Sequence, residues 1–314
     1  RQRQMCIRDR FKCRRKNLKT INRTGVDYKI RNFIASGITE NKRDVKIIVS
    51  LTSFPERMED IQYTLYSLLN QEFKPDELIL WLSQEEFPNK EKDLPQVVLK
   101  FRENGLQIKW CENLYSYKKL IPTLKEYKNC NCIIVTADDD IYYEKNWLLN
   151  LYKSHMKEPN CIICHRAHKI KFENENIAPY KKWRKKIRGG SKLYKNFFTG
   201  AGGVLYPPNS LYKDIDNVEL FTRLAPKADD IWFWAMAVLN ETPICIAENR
   251  VRELTYVNPD RERGLTNQLT LFASNKKGGN DIQLSNIINH YPQILDILKE
   301  EKKLSVIVCN FLRR

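Results

Sequence analysis

A chain of 314 residues with 42% hydrophobic and 29% charged side chains has room for one large α/β domain with additions or for two domains, and its composition excludes an intrinsically disordered protein. The net charge of +16 would suit a nucleic-acid partner if it were evenly spread, but residues 1–20 and residues 181–195 each carry a net +8 and account for all of it. The balanced remainder disfavours a uniformly basic nucleic-acid binder, and no window approaches the ~18 apolar residues of a membrane span, so a soluble or peripheral protein is expected.

Residues 1–10 show no apolar period and read as a translated cloning or adapter remnant; no apolar core follows their charges, as a signal peptide would need. Val45 to Leu51 is a first strand, followed by a turn at Thr52-Ser53-Phe54-Pro55. From Glu56 to Gln71 the residues Met58, Ile61, Leu65, Leu68 and Leu69 recur at helical spacing, with Pro55 suited to a first turn. A strand at Leu78–Leu82, a helix at Gln96–Asn104 stopped by Gly105, and a strand at Leu106–Trp110 come next. Tyr117 to Tyr127 is a short helix that Pro122 must kink or restart. The strand Cys132 to Ala137 ends in Asp138-Asp139-Asp140. Four strands alternating with three helices argue for a parallel, nucleotide-binding type of sheet.

The second half is less regular. Trp147 to Met156 is an amphipathic helix, Cys161 to Cys164 a short strand, and residues 173–198 a basic, aromatic segment too long for an ordinary connection. Phe198 to Tyr206 reads as a strand opened by Gly200, Gly202 and Gly203, and Asp229-Asp230 begin an apolar helix, Ile231 to Leu239. A C-terminal helix spans about Asp281 to Lys299, with Asn280 as N-cap and Pro292 interrupting it. The nine cysteines are an odd set, several of them inside apolar runs, and fit a reducing cytoplasm.

The acidic triplet concentrates negative charge where open α/β sheets bind their ligands, at the carboxyl ends of strands. Alternation along an extended backbone would point Asp138 and Asp140 to one side and Asp139 to the other. Like charges this close need something positive between them, and a divalent cation carrying phosphate oxygens, Mg²⁺ or Mn²⁺, would supply it; the other reading is a solvated acidic turn.

In their order, the first strand with its Ser50-Leu51-Thr52 end, the triplet, the glycine-rich segment 200–206 and the Asp229-Asp230 pair resemble a GT-A type glycosyltransferase, close to the inverting family 2 enzymes of bacterial surface-polysaccharide synthesis. The resemblance implies a GT-A (Rossmann-like) nucleotide-sugar-binding α/β fold over residues 45–250, with a mostly parallel central sheet and a C-terminal helical extension at 251–314. It places Asp140 on a Mn²⁺ or Mg²⁺ ion, with Asp138 near the metal or the ribose and Asp139 beside the nucleotide. Thr52 and Arg57 would meet the nucleotide, and Lys118 or Lys119 its phosphates. Asp230 becomes the general base that takes the acceptor hydroxyl proton, while Asp229 caps the helix or contacts substrate. The implied partners are a nucleotide-sugar donor, UDP-linked, and a glycan or lipid-linked glycan acceptor of a lipopolysaccharide, capsule or related polymer. The family's Gln-x-x-Arg-Trp motif and its membrane spans are missing, which favours transfer of a single sugar.

Gly202 and Gly203 would let main chain approach a ligand closely. Cys161-Ile162-Ile163-Cys164-His165 matches a haem-attachment string, and His168 completes a zinc-like set, but positions 161 and 164 of a strand face opposite sides and no second ligand pair follows. His165 and Arg166 are better candidates for contacting diphosphate or acceptor. The basic and aromatic run 180–195 suits peripheral contact with an anionic membrane surface at the cytoplasmic face, stacking of an acceptor, or a solvated loop. The rivals are a metal-dependent nucleotidyltransferase, which would want a glycine- and lysine-rich loop near the chain start, and a non-enzymatic basic nucleic-acid- or membrane-binding module.

Overall fold

The computed structural model describes residues 18–189, 192–262 and 278–301. Most of the basic segment 1–20 lies outside these residues. Seven strands form one sheet: β1 (Lys46–Thr52), β2 (Glu77–Ser83), β3 (Leu106–Cys111), β4 (Cys132–Thr136), β5 (Ile162–Cys164), β6 (Val204–Tyr206) and β7 (Ile244–Ile246). Their spatial order is β7-β5-β6-β4-β1-β2-β3. All neighbours are parallel except β6, which runs antiparallel to both β4 and β5. The fold is therefore the mixed α/β arrangement with a mostly parallel central sheet that the resemblance implies.

Both faces of this sheet are covered, so its strands read as near-continuous apolar runs. Ile47, Val49 and Leu51 of β1 pack with Leu78, Leu80 and Leu82 on one face, and Ile48, Ile79 and Ile134 face the other. Helices α1 (Arg23–Arg31), α2 (Ile61–Leu69), α3 (Gln96–Lys100) and, later in the chain, α5 (Trp147–Lys157) cover the first face. The second face is covered by α4 (Ile121–Glu126), α6 (Val218–Leu224), α7 (Asp229–Leu239) and the C-terminal pair, which follows a short α8 (Pro259–Glu262) and consists of α9 (Asn280–His290) and a helix at 293–301. Pro122 sits in the first turn of α4, restarting the helix after a 3₁₀ turn at Tyr115–Lys119, as its missing N–H allows.

Several local expectations are corrected. The helix expected from Glu56 starts only at Ile61, after a 3₁₀ turn at Pro55–Arg57. Asp60 precedes it without capping it, because its carboxylate is taken by Arg23 (2.7 Å), Arg261 (3.1 Å) and Asn258 (2.9 Å), which tie α1 and α8 to this corner. The strand expected over 198–206 is broken: Gly200–Gly202 forms a 3₁₀ turn between Asn196–Phe198 and β6. Asn280 is not a cap but the first residue of α9, preceded by helical backbone at Gly279. The 173–198 segment is built into the body, with its hairpin at 172–177, Trp183 buried in the second core and Asn196–Phe198 paired with Ala167–Lys169.

Candidate active site

The carboxyl edge of β4 and β1 carries the acidic triplet, and one local and two long-range hydrogen bonds hold its turn. The Asp138 N–H donates to the Tyr143 hydroxyl (2.8 Å), the Thr64 hydroxyl of α2 donates to the Asp139 carbonyl (2.9 Å), and the Val257 N–H donates to the Asp140 carbonyl (3.0 Å). Because β4 ends at Thr136, the alternation expected of the three carboxylates does not persist. Asp139 and Asp140 instead share one guanidinium, with Arg57 Nη1 at 2.9 and 2.7 Å, and Ser53 Oγ donates to Asp139 at 2.5 Å. Asp138 turns to Lys119 Nζ at 2.8 Å.

Lys119 joins the two acidic motifs. Its buried ammonium lies 2.8 Å from both Asp138 and Asp229, the latter without the angles of a hydrogen bond. Burial works against that charge, but the surrounding Asp138, Asp229 and Asp230 overcome it and hold the lysine well above its ordinary value. Asp230, in the first turn of α7, accepts the Gly200 N–H on both carboxylate oxygens, at 3.0 and 3.1 Å. A side chain at Gly200 would meet Lys119 Nζ at 2.7 Å, Asp230 Oδ1 at 3.0 Å and Asp138 Oδ1 at 3.2 Å, so a residue without Cβ lets these groups converge.

Asp230 keeps some exposure to the cleft, yet it lies deep enough for desolvation to dominate. Burial, reinforced by the charge of Asp229, raises it to about 7. Burial and the nearby Asp140 likewise raise Asp139, against the pull of Arg57, to about 6, and burial raises Asp138. A carboxyl that titrates near neutrality can accept a proton at physiological pH and release it again. Five carboxylates around two cations leave an excess of negative charge, the setting in which hard cations are bound through oxygen. The described bonds engage one oxygen each of Asp138 and Asp140, leaving the other as an available donor of the type Mn²⁺ and Mg²⁺ accept. Among the described residues no three His, Cys, Asp or Glu side chains form a closed metal cage, so such an ion would depend on substrate oxygens.

The structure separates the remaining candidates. Lys118 points away and pairs with Glu86, and the Thr52 hydroxyl donates to the Trp81 carbonyl (2.8 Å) inside the sheet. His165 is fully buried: its Nε2 meets the Trp147 carbonyl at 2.9 Å and its Nδ1 accepts the Val251 N–H at 3.0 Å, leaving no nitrogen for a ligand. Gly203, at φ +89°, serves packing, since a Cβ there would lie 2.4 Å from the Trp147 ring. Gly202 abuts Arg166. Sequence reasoning missed Ser53 as an Asp139 partner and Gly200 as the Asp230 donor; the former lay within the turn it described and the latter within its glycine cluster.

No protein-family model matches the sequence, and no curated protein sequence does. Among solved structures, CMP:2-keto-3-deoxy-manno-octonic acid synthetase complexed with CTP aligns at 10% identity and a TM-score of 0.39, over 71% of this chain and 97% of that one. Residues 1–349 of S. aureus TarS align at 17% identity and a TM-score of 0.44, over 68% of this chain and 59% of that one. Both likenesses are distant, and the site stands on its own geometry.

Proposed function

We propose that this protein transfers a single sugar, with inversion, from a nucleotide-sugar donor, UDP-linked, to a hydroxyl of a glycan or lipid-linked glycan. The observation that carries this reading is Asp230: a carboxyl raised to about 7 and fixed by the Gly200 N–H, whose neighbour Asp229 is joined through Lys119 to the triplet at the sheet edge.

In a direct displacement, the acceptor oxygen attacks the anomeric carbon as its proton passes to Asp230, and the bond to the nucleoside diphosphate breaks on the opposite face. The donor diphosphate belongs at the triplet, where Arg57 and Lys119 offer positive charge. Asp138 and Asp140 would hold Mn²⁺ or Mg²⁺, which when bound offsets the negative charge of the leaving diphosphate. Asp229 sets the charge of its neighbour and holds Lys119 in place. No described helix is long and apolar enough to cross a membrane, and the exposed bases Lys181, Lys182, Arg184 and Lys185 support peripheral contact with anionic lipid at the cytoplasmic face.

The test is donor turnover by the wild type and Asp230→Asn with UDP-sugars and Mn²⁺. A drop in kcat of about 10²-fold or more, with intact folding and donor binding, is expected for loss of a general base; near-normal turnover would remove Asp230 from that role.

A further inference from the structure

Beside the Gly200–Gly202 turn, the charge reverses. Arg166, Lys186, Arg250, Val251, Arg252 and Leu254 line one small recess. Among the described residues, no carboxylate lies within ion-pair distance of Arg166, Arg188, Arg250 or Arg252, although almost every cation near the acidic cleft has one. The Nε of Arg166 is buried with no hydrogen-bond partner. Unpaired buried donors on a guanidinium are costly, and their cost is removed by a ligand that accepts them.

The cations also disfavour one another. Burial lowers Arg250, and Arg188 and Arg252 add to the effect. Burial against aromatic rings and the charge of Arg166 lower Lys185 to about 8. Two buried histidines fix the recess walls. His165 Nδ1 accepts the Val251 N–H at 3.0 Å, and His168 Nδ1 accepts the Lys186 N–H at 3.1 Å. Burial lowers these imidazoles to about 4 and about 3, so both are neutral acceptors at pH 7 and add no further positive charge. The backbone carrying the cations is thus held from beneath by two dedicated side chains.

We propose that this recess is a phosphate-binding subsite, taking a phosphate or diphosphate group on the guanidinium groups of Arg166, Arg250 and Arg252. Guanidinium forks suit such oxygens because they donate in pairs. The site is distinct from the triplet, where the donor diphosphate is proposed to bind, yet close to the base: the Arg166 carbonyl accepts the Thr199 N–H at 3.0 Å, one residue before the Gly200 whose N–H donates to Asp230. The phosphate is therefore assigned to the acceptor, which makes the acceptor a phosphorylated glycan or a glycan carried on a lipid phosphate. That assignment to the acceptor rests on the glycosyl-transfer reading; the anion site does not.

Calorimetric titration of the full chain with inorganic diphosphate in EDTA tests the site, with Arg250→Gln/Arg252→Gln and Arg166→Gln as variants. Binding by the wild type and a loss of at least about tenfold in each variant, with unchanged thermal stability, is expected from removing charge-assisted bonds. Equal binding in wild type and variants, or none in the wild type, would overturn the proposal. UDP with Mn²⁺ is the second probe. An equal loss of UDP affinity in the double variant would make the recess part of the donor site and also overturn it. Glycerol 3-phosphate and phosphatidylglycerol vesicles distinguish the source: glycerol 3-phosphate binding as tightly as vesicles indicates a soluble phosphate, a marked preference for vesicles that diphosphate competes away indicates a lipid phosphate, and vesicle binding without diphosphate competition contradicts a defined subsite. If no protein turns over a UDP-sugar while diphosphate binding still depends on the arginines, the function falls and the subsite stands.

Discussion

The acidic cleft and the basic recess both adjoin one glycine turn and resolve their charges differently. In the cleft, Lys119 and Arg57 are wedged among five carboxylates, and burial, reinforced by the neighbouring negative charges, raises Asp230 and Asp139. In the recess, the arginines face one another with no carboxylate among the described residues within ion-pair distance. The cleft is internally balanced up to a proton or a cation, which suits a group that must exchange protons. Among the described residues no carboxylate offsets the recess arginines, which suits a group that must hold an anion.

The contrast is broken most severely at Lys119. Replacing it with Met strands Asp229 as a buried charge and takes the partner from the half-buried Asp138; breaking a buried pair typically costs up to about 3–5 kcal/mol, and chemical denaturation should show a loss approaching this size. If stability is unchanged, Lys119 is not what holds the two motifs together. Gly203→Ala comes next. A Cβ 2.4 Å from the Trp147 ring, on backbone at φ +89°, should cost at least the ~1–3 kcal/mol of ordinary overpacking, with little effect on the nucleotide affinity of whatever folds.

The pH dependence sharpens the comparison. Asp230 and Asp139 hold protons in the folded state, up to about 7 and about 6, that the unfolded carboxyls release near pH 4. The folded state therefore binds more protons between those limits, and stability falls as pH rises from about 4 to about 7 before levelling off. Thermal melts should show this fall, and Asp230→Asn should flatten its upper part; a melting temperature that rises over the same range would contradict the raised values. For activity the sign is opposite, because the base must be unprotonated: donor turnover should decline as pH drops below about 7.

The sheet was legible because its strands are long apolar runs separated by helical periods, and all four of the early strands appear where those runs lie. The triplet was legible for the same reason: charge following an apolar strand marks a sheet edge. Which neighbour each carboxylate meets was not, since alternation holds only while the backbone stays extended, and β4 ends two residues before Asp138–Asp139. Lys118 and Lys119 are adjacent and chemically identical; only the 3₁₀ turn beneath them decides that one pairs with Glu86 and the other with Asp138. His165 looked like a cleft residue from its place at a strand end, but its partners, Trp147 and Val251, are contributed by distant segments. The basic segment read as a possible stacking loop, yet Trp183 is turned inward, donating its Nε1–H to the Ala178 carbonyl at 2.6 Å, while Lys181, Lys182, Arg184, Lys185, Lys186 and Arg188 stay exposed.

The most direct measurement is release of UDP from a panel of UDP-sugars, with and without Mn²⁺, by the wild type and Asp140→Ala. Metal-dependent release by the wild type, lost in Asp140→Ala while the fold persists, is the predicted result. Equal and metal-independent behaviour of the two proteins across the panel would contradict nucleotide-sugar transfer at the triplet.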